Sequence, residues 1–158
     1  PNLDSKIEEK YSKTSRAKMK KGLYDNYIRA FRWATERIDD DGIISFVTNG
    51  GWLEALGMDG FRKSIEKEFS EIYVVNLRGN KRTVGEASKK EGGPVFSQGS
   101  RATIALTFLI KNKLSNNKIC NINYYDIGEY LSTKQKLNKL NLLTSVEKII
   151  QEKNFKKI

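Results

Sequence analysis

The sequence predicts an α/β protein whose short open sheet, of about four strands, starts parallel, finishes antiparallel and is flanked by helices. Three observations carry that expectation. Helical and strand-like stretches alternate over residues 23–77. A polar, glycine-rich connection then fills residues 78–101. Two more strand-like runs follow with no helical stretch between them, where a further parallel strand would need a crossover.

The first helix is expected over residues 23–38. Tyr24, Tyr27, Ile28, Phe31, Ala34 and Ile38 recur at helical spacing on one face, with Arg29, Arg32 and Glu36 on the other. Asp39, Asp40 and Asp41 lead into Gly42, which suits the turn that ends it. The run IISFVT, residues 43–48, is nearly all apolar and reads as a buried central strand. Asn49-Gly50-Gly51 follows at once. Two glycines there either let a ligand approach the backbone or form a tight turn with Trp52 plugging the core edge, and the turn is preferred. Asp59 suits the cap of a second helix with Phe61, Ile65 and Phe69 inside. Further strands are expected at residues 71–77 (EIYVVNL), 103–110 (TIALTFLI) and 118–125. The polar link at 113–117 is short enough for the last two to pair as a hairpin. Asp126 with Glu129, and Thr144 with Glu147, have capping-box spacing and mark the starts of short helices. Ahead of all this, Asp4 is placed to cap a short helix through Tyr11, and residues 12–21 read as a basic loop.

Composition narrows the function. The chain has 158 residues, enough for one ordinary core, and a formal net charge of +10. Such a surplus favours a polyanionic partner, nucleic acid before membrane, although Lys-rich composition also serves plain solubility. There is no histidine, which removes a His-based triad, a His general base and most zinc sites. The single cysteine, Cys120, has no internal disulfide partner, and a reduced, cytoplasmic setting fits. The charged first 21 residues do not form a signal peptide, and the longest apolar run, residues 102–110, is too short to span a bilayer. Asp39 to Asp41 project in different directions and read as a solvated helix end, so no metal site is expected.

The motifs LYDNYIRAFRWATERI, DGIISFVTNGGWL, EIYVVNLRGN and ATIALTFLIKN are similar in order and spacing to motifs V to VIII of gamma-class DNA adenine-N6 methyltransferases. The stretch from Asn76 to Lys111 resembles most the methyltransferase region of type ISP single-polypeptide restriction-modification enzymes. The resemblance covers roughly residues 20–135 and implies a partial Rossmann-like methyltransferase sheet. It divides the chain into a charged lead-in (1–21), the C-terminal half of a methyltransferase core (22–125), and short helices leading toward a target-recognition domain (126–158). The family's glycine-rich cofactor loop and Asn-Pro-Pro-Tyr motif precede motif V. Neither occurs in this sequence, whose only prolines are Pro1 and Pro94. The expectation is therefore a chain that begins past the catalytic motif, carries no catalytic residue and is inactive alone.

The resemblance also assigns roles. It sets Tyr27, with Tyr24 one turn away, against the adenine of S-adenosylmethionine. It sets Phe108 against the target base, which must leave the duplex stack because adenine N6 is otherwise paired. The bland alternative for these three is an inner helix face and a strand core. Arg78, Lys81, Arg82 and Arg101, with Lys89 and Lys90, are the candidates for contact with double-stranded DNA, diluted by Glu86 and Glu91. The alternative there is a solvated, mobile loop. Two whole-chain alternatives stay open: a non-enzymatic basic nucleic-acid-binding α/β module from a truncated or degenerate gene, and a methyltransferase of this fold acting on RNA or protein. If the strand bearing the catalytic motif is absent, residues 43–48 present an apolar edge, which predicts self-association, occlusion by a terminal segment or poor solubility, and the resemblance implies the missing N-terminal half of the core as a partner.

Overall fold

The computed structural model describes residues 2–96, 101–115, 119–152 and 154–157. Part of the expected link at 113–117, the first residue of the expected fourth strand, and residues 97–100 of the long connection lie outside the described residues. Among the described residues no helix is long and apolar enough to cross a membrane.

Among the described residues, five strands form one mixed sheet: β1 (Gly42–Asn49), β2 (Glu71–Asn76), β3 (Ile104–Lys111), β4 (Asn121–Asp126) and β5 (Phe155–Lys157), in the order β1-β3-β2-β4-β5. Backbone hydrogen bonds give the directions. Ser70 N donates to Ile110 O, and Leu77 N to Ile104 O, so β2 and β3 are antiparallel. Gly50 N donates to Thr103 O at the far end of β1, so β1 and β3 are antiparallel too. Asn121 N donates to Ser70 O and Ile127 N to Asn76 O, which makes β2 and β4 parallel. β5 closes the order antiparallel to β4.

The hairpin of the third and fourth strands does not form. β3 lies between β1 and β2 instead. Its residues Ala105, Thr107 and Leu109 are fully buried, so the more apolar strand occupies the interior position. β1 is a sheet edge rather than a central strand. Ile43 and Val47 are 66% and 56% exposed on it, while Ile44 faces the core. β5 was not expected at all.

The chain divides into two compact units. The first comprises residues 1–45, 51–72 and 108–121. It holds α1 (Leu3–Ile7), which continues into a π-helical turn at Glu8–Ser12, then α2 (Asn26–Thr35) and α3 (Asp59–Glu68). α1 is capped by the Asn2 side chain, not by Asp4, whose carboxylate pairs with Arg29 at 2.9 Å. α2 starts later than expected because Asp25 is extended between it and a 3₁₀ turn at Lys21–Tyr24. Phe61 is the hub of the core, with ring centroids 5.3 Å from Tyr11, 5.2 Å from Phe31 and 5.3 Å from Trp52. A Cβ on Gly60 would meet the Tyr11 carbonyl at 1.9 Å, so only glycine lets α3 pass this close. Arg32 is not on a solvent face. It is buried, with its guanidinium forked onto Glu68 by two bonds of 2.8 Å and a third nitrogen–oxygen contact of 2.8 Å to Glu36.

The second unit comprises residues 46–50, 73–107 and 122–158. Its core joins Val75, Leu77, Val95, Ile104, Tyr125 and Ile127, with Leu140, Leu143 and Phe155 packed against it. It holds α4 (Gly85–Glu91), α5 (Thr133–Leu142) and α6 (Val146–Ile150). No helix starts at Asp126, which ends β4 and accepts hydrogen bonds from Arg78 and Gly128. The capping box is Ser132 with Gln135, at the start of α5. α6 is capped by Ser145, one residue past the expected Thr144.

Candidate functional site

Tyr27 lies in the first turn of α2 and is half-buried, and burial, with Asp25 nearby, pushes its phenol up to about 12. Tyr24 lies in the 3₁₀ turn before it. Its hydroxyl donates to the Glu8 carboxylate, which raises the phenol's pKa and leaves only the ring for stacking. Phe108 is half-buried on β3 and shares the more open face of that strand with Leu106 and Ile110. The Tyr27 ring is not sealed in the core, and its hydroxyl has no hydrogen-bond partner among the described residues. Trp52 and Gly50 serve packing. Trp52 is buried against Phe31 and Phe61, and a Cβ on Gly50 would press on Thr103 and Ala105 at 3.2 Å.

The long connection is tied down over its described part. Arg78 opens it in the left-handed region, at φ 54°. Its Nε donates to Asp126 at 2.7 Å, and Glu129 lies 3.5 Å from its Nη2, so Arg78 anchors the base of the loop. The Asp126 hydrogen bond, ahead of burial, holds the Arg78 guanidinium above its ordinary pKa. Gly79 N donates to Glu91 O, Asn80 N to the Glu91 carboxylate and Lys81 N to Arg101 O. Across the unit, Gly93 N donates to Leu131 O, Tyr130 N to Lys90 O and the Thr133 hydroxyl to Pro94 O. Gly92 sits at φ 67°, where a Cβ would meet Leu131 O at 2.2 Å. The Lys136 ammonium donates to Glu91 O at 2.8 Å and Gly93 O at 2.7 Å.

What the loop presents outward is basic. Lys81, Arg82, Lys89, Lys90 and Arg101 are exposed. Lys81 is partly engaged through Nζ with Gly92 O at 3.1 Å, Lys89 lies 3.5 Å from Glu86, and Lys90 lies 3.7 Å from Glu129. Arg82 and Arg101 have no side-chain bond among those described. Elsewhere, the run Asp39–Asp41 is used structurally: Asp40 pairs with the Lys113 ammonium at 2.6 Å and Asp41 accepts Lys113 N at 2.8 Å. Sequence reasoning missed Lys136. The signal was available, since Thr133, Lys136, Leu140 and Leu143 share helical spacing on the face that packs inward.

No family model matches the chain, and no curated protein does. Solved structures do. A nuclease-deletion mutant of the type ISP restriction-modification enzyme LlaGI, in complex with a DNA substrate mimic, matches 100% of this chain at 40% identity and a TM-score of 0.92. The ATP-dependent type ISP restriction-modification enzyme LlaBIII, bound to DNA, matches 99% at 38% identity and a TM-score of 0.92. The chain is similar to one segment of the type ISP restriction-modification enzymes. DrdV, in a DNA complex, matches 99% of this chain at 34% identity and a TM-score of 0.87. The chain spans 12%, 10% and 14% of the lengths of these three proteins.

Proposed function

We propose that this chain forms the motif V to VIII half of a DNA adenine-N6 methyltransferase core in a restriction-modification enzyme. The observation that carries the reading is β3, an antiparallel strand inserted between β1 and β2, in a chain similar from end to end to a segment of DNA-bound restriction-modification enzymes. Bound S-adenosylmethionine supplies the methyl group. Tyr27, with Tyr24 beside it, stacks on its adenine and fixes its position. Phe108 stacks on one face of the flipped target adenine, holding the base without reading neighbouring sequence. Lys81, Arg82 and Arg101 neutralise phosphates of double-stranded DNA, while Arg78 shapes the loop that carries them. The acceptors that withdraw the amino protons belong to an Asn-Pro-Pro-Tyr segment, which this sequence lacks, so the chain alone transfers no methyl group.

The edge strand β1 pairs with the strand that carries that segment. Supporting this is the exposure of Ile43 and Val47 on β1. In isolation the chain self-associates there. Sedimentation velocity over a concentration series is expected to show reversible association that Ile43→Lys with Val47→Lys suppresses. A concentration-independent monomer contradicts it.

Calorimetry with S-adenosylmethionine tests the whole reading. The chain alone is expected to give no measurable heat, and a longer protein that adds the glycine-rich loop and Asn-Pro-Pro-Tyr segment is expected to bind. Tight binding by the chain alone, or none by the longer protein, overturns it. The second outcome favours a basic nucleic-acid-binding module without methyltransferase activity.

A further inference from the structure

Lys136 is fully buried on α5, and its two described hydrogen bonds go to backbone carbonyls, not to a carboxylate. Taking an ammonium out of water is costly, so a lysine kept there is holding something in place. What it holds is the turn Glu91–Gly93, which is also the receiving end of the loop. Glu91 O accepts Gly79 N, the Glu91 carboxylate accepts Asn80 N, and Gly92 O accepts the Lys81 ammonium. Lys81 N in turn donates to Arg101 O. One ammonium therefore sits beneath a network that fixes the backbone from Gly79 to Lys81, leading into Arg82. A basic loop clamped before DNA arrives does not lose its conformational freedom on binding, which is the advantage of preorganisation.

We propose that Lys136 is a positioning residue, clamping the Glu91–Gly93 turn so that Lys81 and Arg82 are held in the conformation in which they meet DNA phosphates. The inference rests on the DNA-facing reading of that loop. Lys136 itself touches no DNA.

The test uses this chain, a fluorescein-labelled DNA duplex in a salt series, and amide hydrogen exchange. In the wild type, the amides of Gly79, Asn80 and Lys81 are expected to be protected at least tenfold over an unfolded peptide, a measurement that needs no variant. Lys136→Met is expected to raise exchange over residues 79–93 by tenfold or more while β2 and β4 stay protected. It is also expected to weaken duplex binding about fivefold to tenfold and to reduce the salt slope by about 1 to 2. Lys136→Arg, which keeps the donors, is expected to recover most of the affinity. Unprotected amides in the wild type overturn the clamp. A released loop in Lys136→Met with unchanged DNA affinity and salt slope overturns the positioning role. If the wild type does not bind the duplex at all, the DNA-facing reading fails and takes the role with it, while the exchange data still report whether the clamp exists.

Discussion

Arg32 in the first unit and Lys136 in the second are both shut away from solvent, at 2% and 0% exposure, yet they are held in opposite ways. Arg32 is forked onto Glu68 and contacts Glu36, so its charge is neutralised where it lies. Burial pulls its pKa down, but the Glu68 hydrogen bonds outweigh that and leave the guanidinium above its ordinary value. At Lys136 burial prevails. Glu91 and Asp126 push the other way and Arg78 and Lys81 add to the fall, and the ammonium ends at about 8. A cation paired with carboxylates seals a core. A cation spent on backbone carbonyls shapes the turn that carries them. The Arg32 pair belongs to the core of the first unit, and the Lys136 clamp to a loop of the second that is proposed to face DNA.

The largest effect that would break this contrast comes from Arg32→Met. It strands the Glu68 carboxylate beside an aromatic core and is expected to cost about 3–5 kcal/mol, read by urea denaturation. A cost below about 1 kcal/mol would mean the pair is not structural. Acid should act on the same contact. Burial raises Glu68, but hydrogen bonds from Arg32 and Ser64 hold it below 4.5, so its contribution is present above that value and lost as pH falls through the lower folded value.

Lys136 should act in the same direction, but in the alkaline range. Its folded pKa of about 8 lies below the ordinary 10.5, so between those values the unfolded chain binds more protons and stability rises with pH. The gain is on the order of 2–3 kcal/mol, and Lys136→Met should remove it. Parallel pH–stability curves for the two proteins would contradict the account. The smallest effect is on DNA. Arg82→Ala should lower the salt slope by about 1 and weaken binding severalfold at low salt, with no change in melting temperature.

Much of the sheet was legible because strand runs and helix faces follow from hydrophobic period. The inner faces of α2 and α3, led by Phe31, Phe61 and Ile65, are where that period puts them. Strand order was not legible. A short polar link permits a hairpin but does not require one, and the choice was made by where the apolar faces of β3 find cover. Arg32 looked like a surface residue because periodicity reports charge and cannot see Glu68, which reaches it from α3. The basic loop was legible as basic. Its anchors were not, because they come from backbone carbonyls and from Lys136 on α5, 43 residues on from Gly93. The aromatic assignments Tyr27 and Phe108 came from the family resemblance, and both residues are half-buried, a state compatible with stacking as well as with packing.

The most direct measurement is methyl transfer from radiolabelled S-adenosylmethionine to duplex DNA by the longer enzyme proposed to carry this chain, with the label mapped by nucleoside analysis. Label at adenine N6, with a raised KM for S-adenosylmethionine in Tyr27→Ala and a reduced kcat in Phe108→Ala, is the expected result. Label on another base or none at all, or kinetics indifferent to both substitutions, would contradict the account.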